Sequence, residues 1–256
     1  MSPVPILFYV GSVPVYSHGF FLLFGLLAGL GWLVIEARRR RWSKEEVIPI
    51  TLAAFVGGMI GARFSILFFN GFEYAPLVLN MYALFDPRIG PGSIIGGVVG
   101  AYLGGYIASK AIGKDQCSCD AFAPAMALAT AIGRVGCFLS FEDGLGKPTT
   151  LPWGVPLPGS DYLVHPAPLY DMAFNLAWFC ILLLLRDHKW MQNGNLLKVG
   201  IGGYAFFRFF VEFVRNNRVL ALGLTGQQMA SAALFVAVVV YFVANRRKQT
   251  SLLPAM

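Results

Sequence analysis

Charged side chains inside apolar runs are the feature of this sequence that points most directly to chemistry. Arg134 and Arg208 each lie within an apolar stretch, and Glu142 follows Arg134 eight residues later. A charge in a membrane-spanning helix costs at least ~2.5–3.5 kcal/mol on insertion scales, so it normally faces the helix bundle and has a function. Guanidinium groups bind phosphate in a bidentate manner. The arginines therefore predict an anion site, and in a bilayer the obvious anion is a phospholipid headgroup.

A second polar stripe surrounds Arg208. Tyr204, Arg208, Glu212 and Arg215 are separated by four, four and three residues. At ~3.6 residues per turn they share one helix face, where Arg208 and Glu212 can pair across one turn. A purely structural ion pair is the alternative interpretation. Arg63, a third arginine in an apolar run, is equally well explained by a side chain that extends to the membrane surface.

Composition predicts the elements that must position these residues. Of 256 residues, 57% are hydrophobic and 13% charged, about half the ~25% charge of an ordinary soluble domain. This excludes a soluble enzyme, a nucleic-acid-binding protein and a disordered chain. We expect an all-α polytopic membrane protein, one membrane-embedded domain over residues 1–256, with a small outer-face head segment at about residues 140–166. Seven apolar stretches have roughly the length of a membrane span: Gly19–Ile35, Val47–Phe69, Ser93–Ser109, Ala121–Leu139, Pro168–Leu185, Val199–Val214 and Gln227–Ala244.

The basic residues predict the orientation in the membrane. When alternate loops are assigned to one side, 13 of the 20 Lys and Arg residues fall on that side and four on the other. Cytoplasmic loops carry the Lys and Arg excess. We therefore expect the N-terminus outside and the C-terminus in the cytoplasm. The N-terminal segment lacks the basic start of a cleaved signal peptide, so we expect it to remain attached. The net charge of +7 is largely this topological signal.

Two helices are predicted to pack closely. Gly57 and Gly61 are four residues apart, and Gly96, Gly100 and Gly104 repeat that spacing. Small residues with this period allow helix backbones to approach each other in lipid.

Four motifs together resemble one family, prolipoprotein diacylglyceryl transferase, a bacterial inner-membrane enzyme. The similarity extends in order over nearly the whole chain. The motifs are Gly133-Arg134-Val135-Gly136 followed by Glu142, His165-Pro166-Ala167-Pro168-Leu169-Tyr170-Asp171, the Tyr204…Arg208-Phe209…Glu212-Phe213…Arg215 helix, and Gly226-Gln227 with Ser231.

The resemblance implies a reaction and a set of site residues. The family moves the diacylglyceryl group of phosphatidylglycerol to the lipobox cysteine thiol of a prolipoprotein and releases glycerol phosphate. The resemblance implies that Arg134 and Arg208 bind the phosphate and that Glu142 and Glu212 hold these two arginines in place. The nucleophile belongs to the substrate, and we expect no cofactor and no metal. The further substrate-binding residues implied are Tyr204, Arg63, Arg215, His165 and Tyr170.

The sequence departs from the family pattern around the group that must accept the thiol proton. Ile95 stands where the family commonly has a histidine, which leaves His18, His165 and Glu142 as candidate bases. We favour His18, because an imidazole group has an ordinary pKa of ~6.5 and can accept a proton at neutral pH. A neighbouring arginine would keep Glu142 ionised, which makes that carboxylate a weaker base. The positive field of the arginines alone is the alternative. The chain departs from the family pattern at four other positions. It has His18 where the family has a tyrosine, Cys137 and Ser140 where the family has asparagines, and Asp171 where the family has a glutamate.

Two other functions fit part of the pattern. A membrane transporter explains buried Arg–Glu pairs but predicts charges throughout the membrane depth, whereas Arg134, Glu142, Glu212 and Arg215 gather toward one face. A catalytically altered or inactive relative that binds phospholipid or precursor is suggested by Ile95. Release of glycerol phosphate distinguishes the transferase from both.

Overall fold

Seven long helices make up most of the part of the chain that the structure describes. The computed structural model describes residues 6–70, 75–76, 80, 94–113, 118–141, 145–217, 219–221 and 223–251. Within these residues a helix overlaps each of the seven predicted stretches. The helices are α1 (Ser17–Arg39), α2 (Lys44–Asn70), α3 (Ile94–Ala111), α4 (Phe122–Ser140), α5 (Ala167–Leu185), α6 (Asn195–Val211) and α7 (Gly226–Ser251).

Five of these helices, α1, α2, α4, α5 and α7, are long and apolar enough to cross a membrane. The chain is therefore a mostly helical, multi-pass membrane protein. Seven crossings, with α3 and α6 as the remaining two, stay a prediction.

Short antiparallel ribbons interrupt the helical architecture, so the all-α expectation was too simple. Each of the three ribbons has two strands. In the first, Gly11 adopts a φ of 61° in the turn, a conformation that glycine adopts without steric cost. Strands of two to five residues are too short to show a period that separates them from loops. They are β1 (Ile6–Val10) with β2 (Val13–Tyr16), β3 (Val155–Pro156) with β4 (Leu163–Val164), and β5 (Val219–Ala221) with β6 (Leu224–Thr225).

The predicted glycine packing is present between α2 and α3. A Cβ atom on Gly100 would collide with the carbonyl oxygen of Gly57, and one on Gly61 with the carbonyl oxygen of Gly96. The two backbones are thus in direct contact, as small-residue stripes in membrane helices permit.

Glycines also bring the start of α1 against the end of α4. A Cβ atom on Gly25 would lie 2.6 Å from the carbonyl oxygen of Ala129, and one on Gly136 would lie 2.9 Å from Phe21 Cβ and 3.2 Å from His18 Cα. The GRVG motif therefore has a packing role beside its arginine, since Gly136 sets the distance between His18 and α4.

Helix α6 differs from the predicted Val199–Val214 at both ends. It begins at Asn195 because the buried carboxylate of Asp120 accepts the N–H groups of Gly194 at 2.8 Å and Leu197 at 3.0 Å, two donors of the kind left unpaired at a helix start. It ends at Val211, after which Glu212–Val214 forms a 3-10 turn. The polar stripe is therefore not one continuous helix face.

The segment before α5 joins the ends of α5 and α6. Gly146 N–H donates to the His165 carbonyl at 2.7 Å, and Lys147 N–H donates to the Val214 carbonyl at 2.7 Å. Gly146 also bridges to Arg215, which holds Arg215 in an extended conformation. Residues 145–166, most of the described part of the predicted head segment, thus lie against the region where the charged side chains converge.

Candidate active site

The arginine of α4 meets a carboxylate from α5. Arg134 is 8% exposed, and its Nε lies 3.0 Å from Oδ2 of Asp171, which is fully buried. The hydroxyl group of Tyr204 on α6 lies beside the same guanidinium. The sequence predicted Glu142 as the partner of Arg134, but Glu142 lies outside the described residues. Among the residues described, Asp171 holds Arg134.

Asp171 also binds the arginine that follows α6. Arg215 Nη1 donates to Asp171 Oδ2 at 3.1 Å, and Arg215 Nε lies 3.9 Å from Glu212 Oε2. Burial lowers the pKa of Arg215 to about 10, and the positive charges of Arg208 and Arg134 act in the same direction. Three guanidinium groups are thus close enough to repel one another.

The predicted pair at the end of α6 is confirmed. Arg208 Nη2 lies 3.0 Å from Oε2 of Glu212. The other carboxylate oxygen, Oε1, accepts hydrogen bonds from Asn217 Nδ2 at 2.6 Å and Thr225 Oγ1 at 2.9 Å. Thr225 is fixed in turn by Gln228, through two hydrogen bonds at the start of α7. This network holds the carboxylate that orients Arg208.

The resulting group of three arginines and two carboxylates carries one excess positive charge. We call these five buried residues (Arg134, Arg208, Arg215, Asp171 and Glu212) the Asp171–Glu212 cluster. Arg208 Nη1 is buried without a hydrogen-bond partner in the part of the chain that the structure describes. An unpaired buried donor costs about 1–3 kcal/mol, more when it is charged. The cluster therefore fits an anion that accepts from Arg208 and neutralises the excess charge.

A thiol and an imidazole adjoin this cluster. Cys137, one turn after Arg134 on α4, has its Sγ 3.9 Å from Arg134 Nη1 and 3.8 Å from His18 Nδ1. Sequence reasoning placed His18 in the site but not Cys137. The available signal was that both positions depart from the family pattern.

His165 and Tyr170, which belong to the same motif as Asp171, form a hydrogen-bonded chain with Trp153. Trp153 Nε1 donates to Tyr170 Oη at 2.8 Å, and Tyr170 Oη lies 3.2 Å from His165 Nδ1. The tyrosine hydroxyl accepts from the indole, so its own proton is available to His165 Nδ1.

Arg63 and several residues that the sequence did not predict also bear on the site. Arg63, the remaining arginine predicted for the site, is buried in α2. Within the described ranges, no three His, Cys, Asp or Glu side chains gather in a way that could hold a metal ion. Sequence reasoning left five contributors out of the site. Asp171 and Cys137 were signalled by their places in the motifs, and the others are Asn217, Thr225 and Gln228.

Comparison with known proteins agrees with the motifs. Residues 5–244 match the family model described as prolipoprotein diacylglyceryl transferase. A phosphatidylglycerol–prolipoprotein diacylglyceryl transferase of Clostridioides difficile (strain 630) is 31% identical over 210 residues, 82% of either chain. Proteins of the same name from Finegoldia magna and Clostridium tetani are 27% and 28% identical, over 94% and 96% of this chain and 95% and 99% of theirs. The chain belongs to the prolipoprotein diacylglyceryl transferase family.

Proposed function

We propose that the protein transfers the diacylglyceryl group of phosphatidylglycerol to the lipobox cysteine of a prolipoprotein and releases glycerol phosphate. Relatives that match most of the chain are named phosphatidylglycerol–prolipoprotein diacylglyceryl transferase. The observation that supports it most directly is the excess positive charge of the Asp171–Glu212 cluster, together with the unpaired Arg208 Nη1. A phosphodiester headgroup supplies one negative charge and several acceptor oxygens.

The reaction assigns different tasks to the substrate thiol and to the arginines. The thiol loses its proton, and the thiolate attacks the glycerol carbon that bears the phosphate ester. A C–S bond forms while the C–O bond breaks, and the bonding electrons remain on the departing phosphate oxygen. Arg134 and Arg208 stabilise that developing charge, which pre-oriented donors in a water-poor site do effectively. Glu212 keeps Arg208 oriented, and Glu142 is proposed to assist Arg134.

His18 is the proposed base. Its imidazole lies within 3.8 Å of Cys137, and Cys137 lies within 3.9 Å of Arg134, so a single side chain separates a proton acceptor from the phosphate site. Contacts to the substrate are proposed for six further residues: Tyr204 and Arg215 beside the phosphate, His165 just before α5, Tyr170 in the first turn of α5, Glu212, and Arg63 on α2.

The site is proposed to face the outer side of the bacterial inner membrane, with the N-terminus outside and the C-terminus in the cytoplasm. The 13-to-4 distribution of Lys and Arg supports this orientation. The test introduces single cysteines next to Arg41 and Lys248 in a background without the native cysteines. Neither should react in intact cells with a membrane-impermeant maleimide, and both should react after permeabilisation. Reaction from outside contradicts the orientation.

Purified protein provides the direct test of the activity. It is incubated with phosphatidylglycerol and a lipobox peptide, and both glycerol phosphate and the thioether-linked peptide are measured. Both products should form in equal amounts, and a peptide with serine in place of the lipobox cysteine should give neither. Lipid binding without either product would contradict the transferase and favour a relative that only binds lipid or precursor.

A further inference from the structure

Cys137 is a thiol at the proposed site for which the reaction has no use. It is half-buried and free, and the acceptor brings its own thiol. Its Sγ lies between His18 Nδ1 at 3.8 Å and Arg134 Nη1 at 3.9 Å. Gly136 fixes this arrangement, because any side chain there would push α1 and His18 away from α4.

These neighbours favour the reactive form of a cysteine. The thiolate is the nucleophile of thiol chemistry, and reactive cysteines lie in electropositive, partly exposed surroundings. Arg134 supplies a permanent positive charge, and His18 supplies a ring nitrogen that can take the thiol proton. We infer that Cys137 is a modification site at which a small disulfide forms a mixed disulfide, and that this modification closes the phosphate site.

The exchange requires only a disulfide as co-reactant. The Cys137 thiolate attacks one sulfur of R–S–S–R, the S–S bond of the reagent breaks, a new S–S bond to Cys137 forms, and R–S⁻ leaves. An excess of a free thiol reverses the reaction. The added group lies next to Arg134 Nη1, where the proposed function places the lipid phosphate, so the second half of the inference rests on that function.

Labelling tests the reactivity of Cys137 without any measurement of transfer. The full-length protein in phosphatidylcholine vesicles is exposed to 2-hydroxyethyl disulfide, and the modified peptides are quantified by mass spectrometry. Cys180, an exposed free cysteine in an apolar part of α5, is the internal control. Cys137 should be labelled at least about tenfold faster than Cys180, because Cys137 adjoins positive charge whereas Cys180 lies within a candidate membrane-spanning helix, and dithiothreitol should remove the label.

Two comparisons connect this reactivity with the surroundings of Cys137. Arg134→Ala should slow the labelling of Cys137 and leave that of Cys180 unchanged. Vesicles of phosphatidylglycerol should protect Cys137 relative to phosphatidylcholine, because the headgroup then occupies Arg134. Equal labelling rates of the two cysteines, or an unlabelled Cys137, would overturn the inference.

Inhibition is measured with a reagent that the acceptor thiol cannot remove. The protein is treated with N-ethylmaleimide, the excess is washed away, and transfer is compared with the untreated rate of the same variant. Wild type and Cys180→Ser should lose transfer, whereas Cys137→Ser should keep its own untreated rate. A labelled Cys137 with full transfer would refute the closure of the site. An untreated protein without transfer would refute the proposed function and leave the labelling result standing.

Discussion

Two groups of charged residues in this protein have the same composition but differ in exposure. The Glu36 cluster consists of Glu36, Arg39, Arg40, Arg186 and Asp187 at adjoining ends of α1 and α5. Like the Asp171–Glu212 cluster, it contains three arginines and two carboxylates. The arginine side chains of the Glu36 cluster are 21–37% exposed, compared with 7–10% in the Asp171–Glu212 cluster.

The Glu36 cluster satisfies its own carboxylate. Glu36 is 1% exposed, and both of its oxygens accept two hydrogen bonds. Oε1 accepts from Arg39 Nη2 and Arg40 Nε at 2.7 Å each, and Oε2 accepts from Arg39 Nε at 3.1 Å and Arg186 Nη1 at 2.9 Å. The Arg186 guanidinium also lies 5.6 Å from the ring centre of Trp32, a distance typical of a cation–π contact. The outward parts of these arginines are available to water and headgroups.

The difference in exposure indicates different roles. An excess positive charge that reaches solvent costs little, whereas a buried one carries a desolvation penalty of several kcal/mol unless an anion compensates it. The Glu36 cluster therefore joins α1 to the end of α5 as a structural element. Each cluster has an arginine nitrogen that is buried without a hydrogen-bond partner among the described residues, such as Arg208 Nη1 in the Asp171–Glu212 cluster and Arg186 Nε in the Glu36 cluster. Arg186 Nε lies 3.7 Å from the exposed carboxylate of Asp187. The three arginines of the Asp171–Glu212 cluster are instead all buried, so the excess charge there favours a bound anion.

The largest effect should follow from loss of the buried arginines. Arg134→Ala and Arg208→Ala should each lower the rate of glycerol phosphate release by at least about 10³-fold, because a single anion-stabilising donor is worth ~10²–10³ and each guanidinium supplies several. Arg40→Ala is the matched control and should stay within about threefold of wild type, since Arg40 binds Glu36 in the exposed cluster and such pairs contribute little. Full activity in either variant of the buried pair, with normal insertion, would refute the phosphate assignment.

The next effect concerns the proposed base. His18→Gln should lower transfer by about 10²-fold at neutral pH, since general-base catalysis contributes ~10²–10⁴. The wild-type rate should fall at acidic pH, because protonation of His18 removes the base, and the variant should lose that dependence. His188, an exposed histidine that follows Asp187, provides the control, and His188→Gln should keep both rate and profile. An unchanged His18→Gln profile would leave the arginine field as the source of the thiolate.

A smaller effect is expected when lysine replaces arginine, because lysine keeps the positive charge but lacks the planar guanidinium group. Arg208 uses Nη2 for Glu212, and its Nη1, which has no hydrogen-bond partner in the described part of the chain, is proposed to bind the substrate. Arg208→Lys should therefore lose about tenfold to 10²-fold in rate, because one ammonium cannot reproduce the planar fork. Arg186 uses only Nη1 toward Glu36, so Arg186→Lys should leave transfer unchanged. Equal effects of the two substitutions would erase the proposed distinction between the clusters.

Much of the fold was predictable because the length of an apolar stretch can be read directly from the local sequence. All seven stretches contain a helix, and the glycine stripes of α2 and α3 are in contact as expected. The start of α6 was wrong by four residues because Asp120, more than 70 residues earlier, satisfies its first N–H groups. No local pattern contains that information.

The site was predictable where partners share a helix and not where they come from different helices. Arg208 and Glu212 pair across one turn, which their spacing predicts. Arg134 instead meets Asp171 from another helix, and its predicted partner Glu142 lies outside the described residues. Cys137 was not predicted as a site residue for the same reason, since its contact with His18 joins two helices and spans 119 residues of the sequence.

The smallest effect on transfer is expected from the buried carboxylate of the Glu36 cluster. Glu36→Gln removes the charge that joins three arginines, and hydrogen bonds to a charged group are worth ~1.5–3 kcal/mol each. Solvent reaches these arginines, so we expect the free energy of unfolding to fall by only about 1–3 kcal/mol, measured as a lower apparent Tm in detergent by tryptophan fluorescence. The transfer rate per folded molecule should stay within about twofold of wild type.

The same chemical change in the other cluster provides the matched variant. Glu212→Gln should lower transfer far more than Glu36→Gln, because Glu212 orients Arg208 at the proposed phosphate site. The amide oxygen that Glu212→Gln introduces can still accept from Thr225, so the loss should appear in the rate of glycerol phosphate release and not only in the apparent Tm. If Glu36→Gln instead reduced transfer as strongly as Glu212→Gln at equal amounts of folded protein, burial would not be what separates a structural arginine cluster from a substrate-binding one.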